Sequence, residues 1–163
     1  VLNLHMKQSI IISACLLGRE CRYDGGHSQI PELEHLDVEL IPVCPEEAGE
    51  LGIPRPPAEL TEIAKDVLKG RGKIINKNGD NVTQNFLDGS KKEISKLKSS
   101  NAQIAVLKSK SPSCGYGQVY DGTFTGNLCK GNGIFSQMCE DEGVKVISSD
   151  HIDSFIKEIT IQE

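Results

Sequence analysis

The run Ser9-Ile10-Ile11-Ile12-Ser13-Ala14 stops abruptly at Cys15. Consecutive β-branched apolar residues without alternation describe a strand covered on both faces, the habit of a parallel sheet layered with helices. Glu39 to Val43 (ELIPV) is a second run of this kind, ending at Cys44, and its Pro42 suits a sheet edge. Ala102 to Leu107 (AQIAVL) is a third, followed by the polar loop Lys108 to Ser113 and then Cys114. Val144 to Ser148 (VKVIS) is a fourth.

Helical patterns separate these runs. Pro31 to Leu36 opens with a proline suited to a first helical turn. Val82, Phe86, Ile94 and Leu97 fall on one helical stripe, and Ile134 to Glu142 stops at Gly143. A last helix from Asp150 presents Ile152, Phe155, Ile156 and Ile159. The alternation predicts a single-domain α/β three-layer sandwich with a mainly parallel sheet, Rossmann-like or flavodoxin-like. Pro45 to Asn81 breaks the rhythm: Pro54, Pro56 and Pro57 stiffen a loop, and Val67 to Ile75, around Gly70-Arg71-Gly72, reads as a hairpin insertion. Residues 1–5, ahead of Met6, read as an expression junction, which leaves 6–163 as the domain.

A chain of 163 residues suits one core. Its formal charge of -5 argues against a DNA-binding protein, since that affinity comes from clustered cations. Lys91-Lys92 and Lys96 to Lys98 read as a solvated helix face. No apolar run approaches the ~20 residues of a membrane span, and the first residues lack a secretory pattern. A cytoplasmic location follows as the expectation, with a monomer or weak homodimer as the assembly. Six cysteines in such a chain read as thiols, ligands or buried small hydrophobes, not as disulfides. Cys129 and Cys139 fit the buried role, Cys139 lying beside Phe135 and Met138 in a helical pattern.

Cys15 and Cys44 stand at strand carboxyl ends, where ligands gather in open parallel sheets, and the loop bearing Cys114 can fold over the same edge. Three such thiols suggest a soft-metal site: zinc, copper(I) or an iron–sulfur cluster. The nearest cysteine pair, Cys15 and Cys21, is too loosely spaced for a typical structural zinc site. A four-iron cluster on three thiolates leaves one iron with an exchangeable position. Cys21 is either a fourth ligand or a bystander.

The segments Ser13-Ala14-Cys15-Leu16-Leu17-Gly18, Cys21-Arg22-Tyr23-Asp24-Gly25, Pro42-Val43-Cys44-Pro45-Glu46, Pro54 to Glu59 (PRPPAE), Lys108 to Gly115 (KSKSPSCG) and Tyr120 to Phe124 (YDGTF) resemble, in order, the signature set of the bacterial family that includes the 2-thiouracil desulfurases. The resemblance implies a [4Fe-4S] cluster on Cys15, Cys44 and Cys114 and a non-redox reaction in which a small thiolated base such as 2-thiouracil gives uracil and hydrosulfide.

Such chemistry needs a carboxylate to take a proton from water, and Glu46, two residues after Cys44, is the foremost candidate, with Asp24 in reserve. Ser13, Ser111 and Ser113 flank the cysteines and suit cluster tuning or substrate orientation, with Ser111 also a catalytic candidate. Lys108 can offset cluster charge or hold a substrate oxygen. Arg55, between two prolines, offers a planar donor fork or else an ion pair with Glu59. Tyr23, Tyr116 and Tyr120 can stack on a flat base. Two competing readings are a structural zinc or binding module without catalysis, and a cluster enzyme for thiolated tRNA nucleosides, against which the net acidity speaks.

Overall fold

In the computed structural model, residues 7–162 are described; the proposed junction at residues 1–5 lies outside them. The elements run in the order β1 (Ser9–Ser13), a 3-10 turn (Ala14–Leu17), a second one (Pro31–His35), β2 (Glu39–Val43), α1 (Pro45–Ala48), β3 (Ala58–Leu60), α2 (Ala64–Leu68) and β4 (Ile74–Asn76). After these come α3 (Thr83–Ser100), β5 (Ile104–Leu107), β6 (Gln118–Tyr120), β7 (Leu128–Lys130), α4 (Ile134–Asp141), β8 (Lys145–Ser148), a 3-10 turn (Ser149–His151) and α5 (Ile152–Gln162).

The four apolar runs pair as one parallel sheet in the order β2-β1-β5-β8, with Ile10 opposite Leu40 and Ile104. This is the flavodoxin-like order, and its switch point lies between β1 and β5. Both faces are covered. Ile11, Ala105, Leu107 and Val146 pack with Ile94 and Leu97 of α3 and Phe135 of α4, while Ile10, Ile12 and Val106 pack with Leu33 and with Ile152, Phe155 and Ile159 of α5. Two opposite stripes of one strand are thus both apolar, which is why Ile10 to Ile12 show no alternation. Pro42, with no N–H to give, lies on the edge strand β2.

The insertion differs from its sequence reading. Val67 belongs to α2, and the hairpin is β3 against β4, with Ala58 opposite Asn76 and Leu60 opposite Ile74. Ala64 and Val67 supply the apolar side chains that seal this small layer against Phe86 of α3 and Ile134 of α4. The segment 31–35 is a 3-10 turn instead of an α-helix, and β6 with β7 forms a further hairpin. Lys91, Lys92 and Lys98 are exposed on α3, as expected of a solvated face, while Lys96 is half-buried and pairs with Glu93 at 2.8 Å.

The short helix α1 is held by backbone contact with α3. A Cβ at Gly89 would lie 1.8 Å from the Pro45 carbonyl oxygen, and one at Gly49 would lie 2.2 Å from that of Asn85. Asn85 Nδ2 donates to the Gly49 carbonyl at 2.9 Å. Replacing Gly89 with Ala is therefore expected to force the helices apart and lower the free energy of unfolding, read from denaturant melts, by about 1–3 kcal/mol or more, the range for overpacking. Ser99→Ala, on an exposed turn of the same helix, is expected to stay within about 0.5 kcal/mol; equal effects would show that the close approach is not critical.

Candidate functional site

At the carboxyl end of β1, Cys15 sits in the 3-10 turn that Gly18 closes at φ 96°. Its carbonyl accepts from Ser28 N–H at 2.8 Å, which folds the following loop back over the turn. Cys44 stands between β2 and α1, and its carbonyl accepts the Ala48 N–H at 2.9 Å. Cys114 arrives on a loop clamped by α4. Phe135 and Ser136 N–H donate to the Ser113 carbonyl at 2.8 and 3.1 Å, and a Cβ at Gly133 would lie 2.5 Å from that carbonyl. Ser13 joins the two central strand ends, since its Oγ accepts the Lys108 N–H at 2.9 Å.

These segments wall one cavity of about 510 Å³, within the usual size range of small-molecule sites. Cys15, Cys44 and Cys114 all line it, together with Ser13, Tyr23, Glu46, Arg55, Lys108, Ser111 and Ser113. Asp24 does not. Its carboxylate accepts from Gly26 N–H at 2.9 Å and faces Arg22 at 3.6 Å, half-exposed, outside the cavity wall. Tyr120 lines the cavity and Tyr116 is not among its walls.

Glu46 is the polar hub. Ser113 Oγ donates to Oε2 at 2.7 Å, and Arg55 Nε donates to Oε1 at 3.2 Å. Ser111 Oγ lies 2.9 Å from Ser113 Oγ and accepts the Cys114 N–H at 2.9 Å. With the Ser113 proton on Glu46, the Ser111 hydroxyl donates to Ser113, forming a short relay that ends at the carboxylate. Arg55 also donates to the carbonyls of Gly52 at 2.9 Å and Cys21 at 2.8 Å, so each of its three nitrogens is engaged. The alternative pair with Glu59 is not formed. Buried Glu59 instead accepts from the Gly122 and Phe124 N–H groups at 2.9 and 3.2 Å, hanging the β6–β7 turn over the cavity.

Burial pushes the Cys15 thiol up to about 11; Cys44 adds to the rise, while Lys108 and Arg22 oppose it. Cys114 is also raised by burial, against a hydrogen bond from Ser13. Cys44 is raised by its contact with Cys21 and then by burial. Burial pulls the Lys108 ammonium down, with Arg22 reinforcing and Cys15 opposing the shift. Thiols held protonated in this way release protons when they take a metal.

Sequence reasoning assigned no role to Arg22, Lys77 or Phe124, which also line the cavity. The segments Cys21 to Gly25 and Tyr120 to Phe124 contain Arg22 and Phe124, so for these two the signal was present without a role attached. Cys139 is fully buried against α4's neighbours, as expected, whereas Cys129 is exposed on β7 and corrects the buried reading.

A family model described as 2-thiouracil desulfurase matches residues 10–151. The chain belongs to the 2-thiouracil desulfurase family. It is 36% identical to the uncharacterized protein YbbK of Bacillus subtilis (strain 168) over 150 residues, which span 90% of this chain and 99% of that protein. It also resembles a solved structure, the [4Fe-4S]-dependent thiouracil desulfidase TudS, with a TM-score of 0.83 and 33% identity over 95% of this chain and 99% of that one. As a desulfurase-family member the chain is an enzyme, and its α/β fold with a parallel four-stranded sheet matches that of TudS. No described helix is long and apolar enough to cross a membrane.

Proposed function

We propose that this protein removes sulfur from a thiolated pyrimidine such as 2-thiouracil, using a [4Fe-4S] cluster held by Cys15, Cys44 and Cys114. The observation that carries the reading is the presence of three thiols, two at strand ends and one on the loop after β5, and of the Glu46 hub in the walls of one cavity. The donor set suits a cluster better than a single ion. A tetrahedral zinc with sulfur at about 2.3 Å brings its ligand sulfurs to about 3.8 Å from one another. Among the described residues, the group of metal-ligating atoms gathered within 4.8 Å is Cys21, Cys44 and Glu47, so the wider trio of thiols is left for a larger inorganic body.

When bound, such a cluster supplies an iron without a protein ligand, a Lewis acid toward the thiocarbonyl sulfur. The chain's own residues do the rest. Glu46, fixed by Arg55 and Ser113, accepts a proton from the water that attacks the thiocarbonyl carbon. The carbon–sulfur bond breaks as the new carbonyl forms, and the second water proton ends on the departing sulfur. Uracil and hydrosulfide are the products, with no change of oxidation state. Ser111 and Ser113 keep the carboxylate oriented, and Lys108 faces the cavity as a positive charge beside Cys15. Tyr23 and Tyr120 offer ring faces to a flat base.

Anaerobic reconstitution with iron and sulfide is expected to give a brown protein that releases hydrosulfide from 2-thiouracil in step with uracil. A fully loaded protein that turns over neither 2-thiouracil nor any thionucleoside contradicts the proposal. Turnover confined to thiolated tRNA replaces the small base with the larger substrate.

A further inference from the structure

Cys21 takes no part in the reaction described above, yet its side chain is buried, 2% exposed, beside the site. The Cys21 sulfur, the Cys44 sulfur and a Glu47 carboxylate oxygen all lie within 4.8 Å of one another. Two chain segments bring them together. The turn after Gly18 delivers Cys21, whose carbonyl is pinned by Arg55 Nη2 at 2.8 Å. The start of α1 delivers Cys44 and Glu47. Arg19 donates to Glu47 and fixes its carboxylate, as outer partners do for metal-binding carboxylates.

We propose that Cys21, Cys44 and Glu47 form a second metal site, which takes one thiophilic divalent cation such as zinc when the cluster is absent. Two thiolates and a carboxylate are ligands that zinc accepts, with water as the fourth, and the thiolates disfavour magnesium and calcium. The two sulfurs need to close by at most about 1 Å, since they lie within 4.8 Å of each other and two zinc-bound sulfurs stand ~3.8 Å apart. Glu47 is one-third exposed, which leaves the fourth position open to water. Cys44 is the pivot. Once it binds an ion with Cys21, it is no longer available beside Cys15 and Cys114, so zinc and cluster exclude each other. The exclusion rests on the proposed role of Cys44 as a cluster ligand; the site itself does not.

Cobalt(II) is the probe, titrated anaerobically into metal-free protein, with the thiolate-to-cobalt absorption as the readout. Wild-type protein is expected to bind a single equivalent with that absorption. Glu47→Gln and Cys21→Ser, each removing a direct ligand, weaken binding by more than the roughly 10- to 100-fold that loss of an outer partner costs a metal site. Cys15→Ser and Cys114→Ser leave it unchanged. In the second arm, zinc added before iron and sulfide blocks the gain of visible cluster absorption in wild type and not in Cys21→Ser. The site is disproved by the absence of a thiolate–cobalt band, by a band indifferent to both Cys21→Ser and Glu47→Gln, or by one lost in Cys15→Ser or Cys114→Ser. Equal cluster uptake with and without zinc overturns the exclusion. If Cys21→Ser does not fold, Glu47→Gln carries both arms. A wild-type protein that binds cobalt in this way but never takes up iron and sulfide refutes the cluster and leaves the second site standing.

Discussion

Single replacement of Cys15, Cys44 or Cys114 by Ser is expected to abolish the visible absorption of the anaerobically loaded protein and its hydrosulfide release together. Each sulfur is carried by a different segment, Cys15 and Cys44 just past the ends of β1 and β2 and Cys114 on the loop that follows β5. The losses should exceed the roughly 100-fold that removal of an outer-shell partner costs a metal site. Far-ultraviolet circular dichroism should stay unchanged, because the cysteines cap the sheet while the core beneath is Ile10 to Ile12, Ala105 to Leu107 and their helices. Cys129→Ser, on exposed β7, is the matched control and should match wild type in both readouts. A trio variant that keeps its colour and turnover would remove that residue from the ligand set.

The second large effect belongs to Glu46. Glu46→Gln keeps the shape and a hydrogen bond to Ser113 but cannot take a proton. The expected result is a kcat lower by roughly 10²- to 10⁴-fold with visible absorption retained. The same change also leaves the nearly buried Arg55 without its countercharge. Some loss of stability is therefore expected, and it must be separated from the loss of rate. Turnover should be measured well below the melting temperature, together with its pH profile. A profile unchanged in shape, with only a proportional drop in folded protein, would reduce Glu46 to a structural anchor.

These residues were legible in the sequence to different degrees, for physical reasons. The strand ends at Cys15 and Cys44 announce themselves, because a run buried on both faces is apolar until it meets the loop. Pro42 marked the edge by lacking an N–H. The hairpins were not readable in the same way: β6 and β7 are three residues each, Gln118 to Tyr120 and Leu128 to Lys130, and β7 is exposed throughout. Such strands carry no burial pattern. The hairpin begins earlier than its reading because Val67 and Leu68, taken as its first strand, belong to α2, and Ala58 to Leu60 pair with β4 instead.

Side-chain partnerships were the least readable. For Arg55 the sequence offered a donor fork for a ligand or an ion pair with Glu59, four residues on, and gave no sign of Glu46 as its partner. The fold reverses this: Glu46 projects from α1 toward Arg55, while Glu59 is committed to the Gly122 and Phe124 N–H groups. Asp24 resembled a reserve base until its own turn claimed it through Gly26. The nearness of Cys21 to Cys44, 23 residues apart, depends on how the loop after Gly18 returns across the top of β2, and no local pattern encodes it.

An anaerobic crystal structure of the loaded protein, with iron located by its anomalous scattering, tests the central claim most directly. Four irons in the 510 Å³ cavity, bonded to Cys15, Cys44 and Cys114 with one iron free of protein ligands, are the predicted outcome. Iron held by Cys21 as a fourth thiolate, or by any set that leaves out one of the three, would contradict it.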